Sequence, residues 1–417
     1  YGGNLKGITE KLDYLHNLGI TGIYFTPLFE SPSAHKYDTT DYFKIDPSFG
    51  TNEDFKVMVE KAHHLGIKVM LDGVFNHAGY DHPFFQDVIK NGKDSKYKNA
   101  FFIHEFPFID FNIEDKSIYL SHFRPKFDTF AFTPRMPKWH TADPLVSKHL
   151  LDCIAYWIEE FDIDGWRLDV SNEISHQFLR KIRETARRSK QDVFLLGENW
   201  DASMPWLSGD QLDAVMNYEW SHAVWAFLEH RSSASEFIEQ MTLHLVTTPD
   251  HIIQNMFNCL DSHDTVRIRR RLQDDTNRFK IAMILLFISA GSPSVYYGNE
   301  VGMTGENDPD NRRCMIWDTS KQDYKCYDFV HKLIMLREKH TAFKQKDMYF
   351  IENEGLILSK STDQEKIVYL INNSSQVITM STHHISGFYI NLLTNRSYEV
   401  TEQVKMAPYE SILLKEI

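Results

Sequence analysis

The chain has 417 residues, too many for one ordinary core, so two or three domains are expected. Its net charge of −13 disfavours nucleic acid and anionic membranes as partners. Cys153, Cys259, Cys314 and Cys326 have no metal-ligand spacing and read as reduced, buried thiols of a cytoplasmic protein. The longest apolar run, Ile281 to Ala290, is too short to span a bilayer, and the start shows no signal-peptide pattern.

Leu5, Ile8, Leu12, Leu15 and Leu18 fall at helical spacing, with Gly19 as a C-terminal cap. A buried strand, Gly22 to Pro27, follows. Asn52-Glu53-Asp54 opens a second helix that Gly66 closes, and Ile67 to Asp72 is the next strand, running into Asn76-His77. From Ala78 to Ala142 the sequence is aromatic and irregular. A structureless loop of that length is improbable in a compact domain, so it reads as an inserted subdomain with a phenylalanine core. Asp143-Pro144, an N-cap residue with proline at the first helical position, restarts the helical pattern.

The stretch from Asp162 to Trp200 is the centre of the pattern. Asp164 to Val170 and Val193 to Trp200 are apolar strands that each end in an acid, and a charged helix from Ile174 to Lys190 separates them. That is a right-handed βαβ unit. Alternation along a strand puts Arg167 and Asp169 on one face. Further strands begin at Asp213, Ile253 and Ser294, with a basic helix from Val266 to Ile288. Seven βα units point to a (β/α)₈ barrel lacking one strand. After the helix Tyr324 to His340 the period changes to two. Lys366 to Ile371, Gly387 to Leu393 and Ser411 to Leu414, with turns at Asn372-Asn373 and Thr394-Asn395, predict a C-terminal antiparallel β domain.

The strand ends carry Asp72 with Asn76-His77, Arg167 with Asp169, Glu198, and His263-Asp264. No HExxH pair or nucleophile elbow accompanies them, which argues against metal-assisted or serine hydrolysis. Retaining glycoside transfer needs one ionised carboxylate as nucleophile and a second, protonated one as acid and then base. A cation within reach favours the ionised form, so Asp169 beside Arg167 fits the nucleophile, and Glu198 near Trp200 fits the acid. Tyr37 and Trp200 suit stacking on sugar rings.

These motifs resemble the α-amylase family of glycoside hydrolases. Asp72-Gly73-Val74-Phe75-Asn76-His77, Gly165-Trp166-Arg167-Leu168-Asp169, Gly197-Glu198-Asn199-Trp200 and Ser262-His263-Asp264 match its third-, fourth-, fifth- and seventh-strand motifs. The resemblance implies Asp169 as nucleophile, Glu198 as acid/base and Asp264 as transition-state stabiliser. It implies sugar contacts for Tyr37, His77 and His263, support of the nucleophile by Arg167, and a further subsite at Asp308 and Arg312. Met136-Pro137-Lys138 and Val170-Ser171-Asn172-Glu173 are similar to the neopullulanase, cyclomaltodextrinase and maltogenic amylase group, in which the Glu173 position faces the acceptor. Trp139-His140 departs from that group's usual Leu-Asn.

The implied organisation is a TIM (β/α)₈ barrel at 1–77 and 141–342, domain B at 78–140 and a C-terminal domain at 343–417. The family's first barrel strand and the group's N-terminal domain, which commonly makes a homodimer, would precede Tyr1, so the chain reads as part of a longer protein. The implied activity is hydrolysis of α-1,4 and some α-1,6 bonds in cyclodextrins, pullulan or maltodextrins, with transglycosylation. No cofactor is required, and a structural calcium is left open. The alternatives are a glucosyl-transferring or isomerising relative, an oligo-1,6-glucosidase, or a binding subunit without catalysis.

Overall fold

The computed structural model describes residues 2–115 and 120–417; Tyr1 and residues 116–119 of the long insert lie outside the described residues. Two compact units emerge, residues 2–199 with 203–215 and residues 200–202 with 216–417.

In the first unit the helix Leu5–Leu18 buries Leu5, Leu12 and Leu18, its apolar stripe. Asn4 caps its start by accepting from the Gly7 amide, and Gly19, at φ 93°, ends it in the left-handed region. The helix Asn52–His64 opens with a reciprocal capping box between Thr51 and Asp54. Five parallel strands lie in sequence order: Gly22–Tyr24, Lys68–Gly73, Gly165–Leu168, Phe194–Gly197 and Ala214–Val215. The Gly165–Leu168 strand is buried along its whole length, which is why its sequence runs apolar where a half-exposed strand would alternate. Asp72 pairs in register with Arg167, and Leu168 with Gly197. This register brings three strand ends level. The helix His176–Ser189 connects two of these strands, as the βαβ pattern predicts.

The 78–142 stretch carries its own aromatic packing. The Phe85 ring lies 4.8 Å from Phe101, 5.5 Å from Phe108 and 5.6 Å from Phe127, and all four are buried. At about 1.5–3 kcal/mol for each buried phenylalanine, such a cluster stabilises a small subdomain. Antiparallel bridges from His77 to Lys138 and from Phe101 to Trp139 stitch its two ends.

In the second unit the strands Phe257–Cys259 and Ser292–Ser294 pair in parallel, completing the seven expected. Several boundaries differ from expectation. The opening strand of the first unit is exposed to half-buried and ends at Tyr24, because its pairing with residues 68–70 ends there, and the last parallel strand ends at Ser294, where the sequence reading has it begin. Asp250–Ile253 is a helical turn, so the strand expected from Ile253 starts at Phe257. The basic helix is two helices, Ile268–Arg271 and Thr276–Ile288, broken where Gln273 and Asp274 take φ near +58° and Asp275 caps the second. The C-terminal part holds a six-stranded antiparallel sheet in which Lys366–Ile371 pairs with Leu356–Ser361 on one side and Ser411–Glu416 on the other. Its core includes Val368, Leu370, Tyr389, Met406 and Leu414.

Cys153, Cys259 and Cys326 are buried thiols, as expected; Cys314 is exposed, in the loop after the Asp310–Arg312 turn, and departs from that expectation. Among the described residues no helix is long and apolar enough to cross a membrane.

Candidate active site

Arg167 organises the first unit's site. Its side chain is fully buried, and three carboxylates from three strand ends converge on it. Nη1 donates to both oxygens of Asp72 at 2.9 Å and to Asp169 Oδ1 at 2.8 Å. Nη2 lies 2.8 Å from Glu198 Oε2. The planar guanidinium suits this sharing, because its nitrogens present donors in a fixed fork. Asp72 Oδ2 also accepts from the hydroxyls of Tyr24 and Tyr37, at 3.0 and 3.1 Å. Asp169 Oδ2 is buried and meets no hydrogen-bond partner among the described residues.

The backbone aims the two acids. Val170, next to Asp169, sits at φ 46° and ψ 46°, a left-handed conformation that a β-branched residue rarely adopts. Such strain costs about 1–3 kcal/mol and persists where surrounding structure imposes it. Here it turns the Val170 amide onto Glu198 Oε2, at 3.0 Å. Gly197 precedes Glu198 because a β-carbon there would strike Ser171 Oγ and Leu212.

Three carboxyl groups against one guanidinium leave an excess of negative charge in a dry pocket. Burial pushes Asp169 well above the ordinary carboxylate range. Arg167 opposes this, and the charges of Glu198 and Asp72 add to it. Burial likewise raises Asp72 to about 6 against the pull of Arg167. Arg167 thus favours the ionised form of Asp169, as its neighbouring position in the sequence leads one to expect, against burial and the charges of Glu198 and Asp72. The guanidinium is divided among three acids, so its pull on each is shared.

The flanking residues fall as follows. His77 is buried, with Nε2 3.0 Å from the Tyr37 carbonyl and its ring stacked on Phe130 at 4.5 Å and 3°. Burial lowers its pKa to about 3, so the imidazole is neutral. Glu173 Oε2 is held by Lys138 at 2.9 Å, with Asn76 at 3.4 Å. Tyr24, Lys138 and Phe130 are the members of this group that sequence reading left unassigned. Lys138 lies in the Met136-Pro137-Lys138 motif and Tyr24 is a polar-tipped ring on a strand; Phe130 has no local signal.

In the second unit, His263 Nε2 lies 3.1 Å from Asp264 Oδ2. Arg312 Nε is 3.1 Å from Asp308 Oδ1 and donates to the His263 carbonyl at 3.0 Å, and its Nη2 is 3.7 Å from Asp264 Oδ1. Trp200 stacks face to face on Tyr218 at 3.9 Å and 7°. Among the described residues no group of three or more His, Cys, Asp or Glu side chains is placed to hold a metal ion.

A family model described as "Alpha amylase, catalytic domain" matches residues 2–354. The chain belongs to the α-amylase family and is a glycosidase of that family. The parallel strands of each unit and the antiparallel C-terminal sheet are consistent with the family's catalytic domain and with the solved cyclomaltodextrinase fold. Within the family it is 45% identical over 423 residues to a cyclomaltodextrinase of Geobacillus thermopakistaniensis, covering 99% of this chain and 70% of that one. It is 42% identical over 402 residues to an intracellular maltogenic amylase of Bacillus subtilis, covering 95% and 65%. It is 42% identical over 426 residues to neopullulanase 2 of Thermoactinomyces vulgaris, covering 99% and 71%. A solved cyclomaltodextrinase structure superposes with a TM-score of 0.91 at 39% identity, covering 99% of this chain and 71% of that chain. The chain thus spans between 65% and 71% of the length of these relatives.

Proposed function

We propose that the protein hydrolyses α-1,4 and some α-1,6 glucosidic bonds in cyclodextrins, pullulan or short maltodextrins by a retaining mechanism. The observation that carries this reading is the cluster of Asp72, Asp169 and Glu198 on one buried guanidinium. Asp169 and Glu198 meet different terminal nitrogens of Arg167, which supports the short separation of a retaining pair, about 5 to 5.5 Å.

Asp169 Oδ2 attacks the anomeric carbon. The glycosidic C–O bond breaks, and the Glu198 proton passes to the leaving oxygen. Water then attacks the glycosyl ester, Glu198 takes its proton, and Asp169 leaves as a carboxylate. Asp264 stabilises the oxocarbenium charge between these states, and the steps need no metal ion. Asp72, held by Tyr24 and Tyr37, orients Arg167. His77 and His263 contact the reacting ring, Asp308 and Arg312 the next one, and Tyr37 and Trp200 stack on sugars. Glu173, fixed by Lys138, faces an acceptor sugar and supports transglycosylation. Retention of all three carboxylates argues against a binding subunit without catalysis. The name of the Bacillus subtilis relative supports action inside the cell.

Incubation with β-cyclodextrin, pullulan and starch in parallel tests the proposal. Maltose and glucose from cyclodextrin, with panose from pullulan, are the expected products. A product set that is isomerised without net hydrolysis would replace this reading with the transferring one. Turnover of none of the three would remove it.

A further inference from the structure

The Ser262–Thr265 loop, which carries His263 and Asp264, belongs to no helix or strand, and one long backbone bond, Thr265 to Ser262 at 3.4 Å, leaves most of its carbonyls to side-chain donors. Asn311 supplies one from the Asp310–Arg312 turn. Its side chain is fully buried, and Nδ2 donates to the carbonyls of His263 at 2.7 Å and Thr265 at 2.9 Å. Arg267, three residues beyond Asp264, holds Asn311 in return. Its Nε donates to the Asn311 carbonyl at 2.9 Å and its Nη1 to the Tyr297 carbonyl at 2.7 Å. The guanidinium carbon lies 4.3 Å from the Tyr296 ring centre and 4.7 Å from that of Tyr297. The backbone amide of Arg267 also donates to Gly305 at 3.1 Å.

Arg267 is fully buried, its hydrogen bonds go to backbone carbonyls, its charge acts on the buried Asp261 carboxyl without an ion-pair contact, and Nη2 meets no hydrogen-bond partner among the described residues. Burying a guanidinium on such terms is costly, and an apolar side chain of the same volume would pack the site at less cost. What an apolar side chain cannot do is hold two carbonyls at fixed directions. We propose that Arg267 and Asn311 are positioning residues that form a reciprocal clamp on the Asp264 loop. This deepens the reading of Asp264 as transition-state stabiliser and rests on it.

A group that acts on charge present only in the transition state loses kcat when it is displaced, while binding of a neutral ground-state ring is spared. A misplacement of about 1 Å costs about 10²-fold. The test compares the wild type with Asn311→Leu and Arg267→Ala. It measures kcat on maltotriose and the binding of two single-ring ligands, protonated 1-deoxynojirimycin and neutral glucose. Both variants are expected to lose about 10²-fold in kcat and in iminosugar affinity, with glucose affinity within about threefold. Added guanidinium is expected to restore Arg267→Ala in part. Asn311→Gln, which keeps the amide but shifts it by one methylene, is carried in parallel and should show a smaller version of the same split.

Equal weakening of both ligands, or absence of guanidinium rescue in a folded Arg267→Ala, would overturn the clamp. So would failure of all three variants to fold, which would make the pair purely structural. Asp264→Asn serves as the control. If it bound the iminosugar as tightly as the wild type, the role of Asp264 would fall first, and the clamp's purpose with it.

Discussion

Arg167→Lys keeps the charge at the centre of the site and removes only its shape. The guanidinium reaches Asp72 and Asp169 from one nitrogen and Glu198 from another, all between 2.8 and 2.9 Å. One ammonium cannot occupy both positions, so at least one carboxylate loses its cation. A hydrogen bond to a charged group contributes about 1.5–3 kcal/mol, and the fully buried site allows little solvent compensation. The loss should therefore be about 2–4 kcal/mol in urea unfolding.

The same change acts on protonation. Arg167 is the main influence lowering Asp169 against its burial, so weakening it raises that carboxyl further. The nucleophile must be ionised, so the acid limb of the kcat/KM profile should move to higher pH. At about 1.36 kcal/mol per pH unit, a loss of 1.5–3 kcal/mol moves the limb by roughly 1–2 units. Maltotriose hydrolysis across pH 4 to 9, beside urea melts, reads both effects. A variant with wild-type stability and an unmoved acid limb would refute the claim that one guanidinium serves three acids.

Asp169→Asn should abolish turnover while circular dichroism and the unfolding midpoint stay close to wild type; near-normal hydrolysis would remove the nucleophile assignment. His82 is buried among the rings of Tyr42, Phe84, Trp139 and His149, and burial lowers its pKa to about 3 from 6.5. A depressed histidine must be neutral in the fold, so its contribution is full above the unfolded value and declines as pH falls from about 6.5 toward 3. Between pH 7 and 5 this is roughly 2 kcal/mol, so His82→Asn should flatten the stability change over that interval by about that amount in urea melts. Turnover should survive exhaustive chelation; complete loss reversed by calcium would mean that a structural ion supports the site.

Much of this was legible because the parallel strands are continuous apolar runs closed by acids. Gly165 to Asp169 and Phe194 to Glu198 needed no tertiary information. The placement of Asp72 on Arg167 was not legible, since it depends on the inter-strand register that pairs those residues. Nor was the break at Gln273 and Asp274, where two consecutive left-handed residues interrupt a run whose composition is helical throughout. The sequence suggests too early a start for the strand near Ile253 because Ile252 and Ile253 are buried from a helical turn, and burial alone does not distinguish the two conformations. Phe130 stacks on His77 from the far end of a loop, a contact with no local signal.

The stretch that departs after His77 and returns before Asp143 has its phenylalanines packed on one another, and its ends meet at the His77–Lys138 bridge. A segment built in this way behaves as a cassette. A change at Phe130 or Lys138 alters what His77 and Glu173 rest against, while the strands that carry Asp72, Asp169 and Glu198 keep their own register. Binding preference and chemical competence can then drift at different rates in one polypeptide.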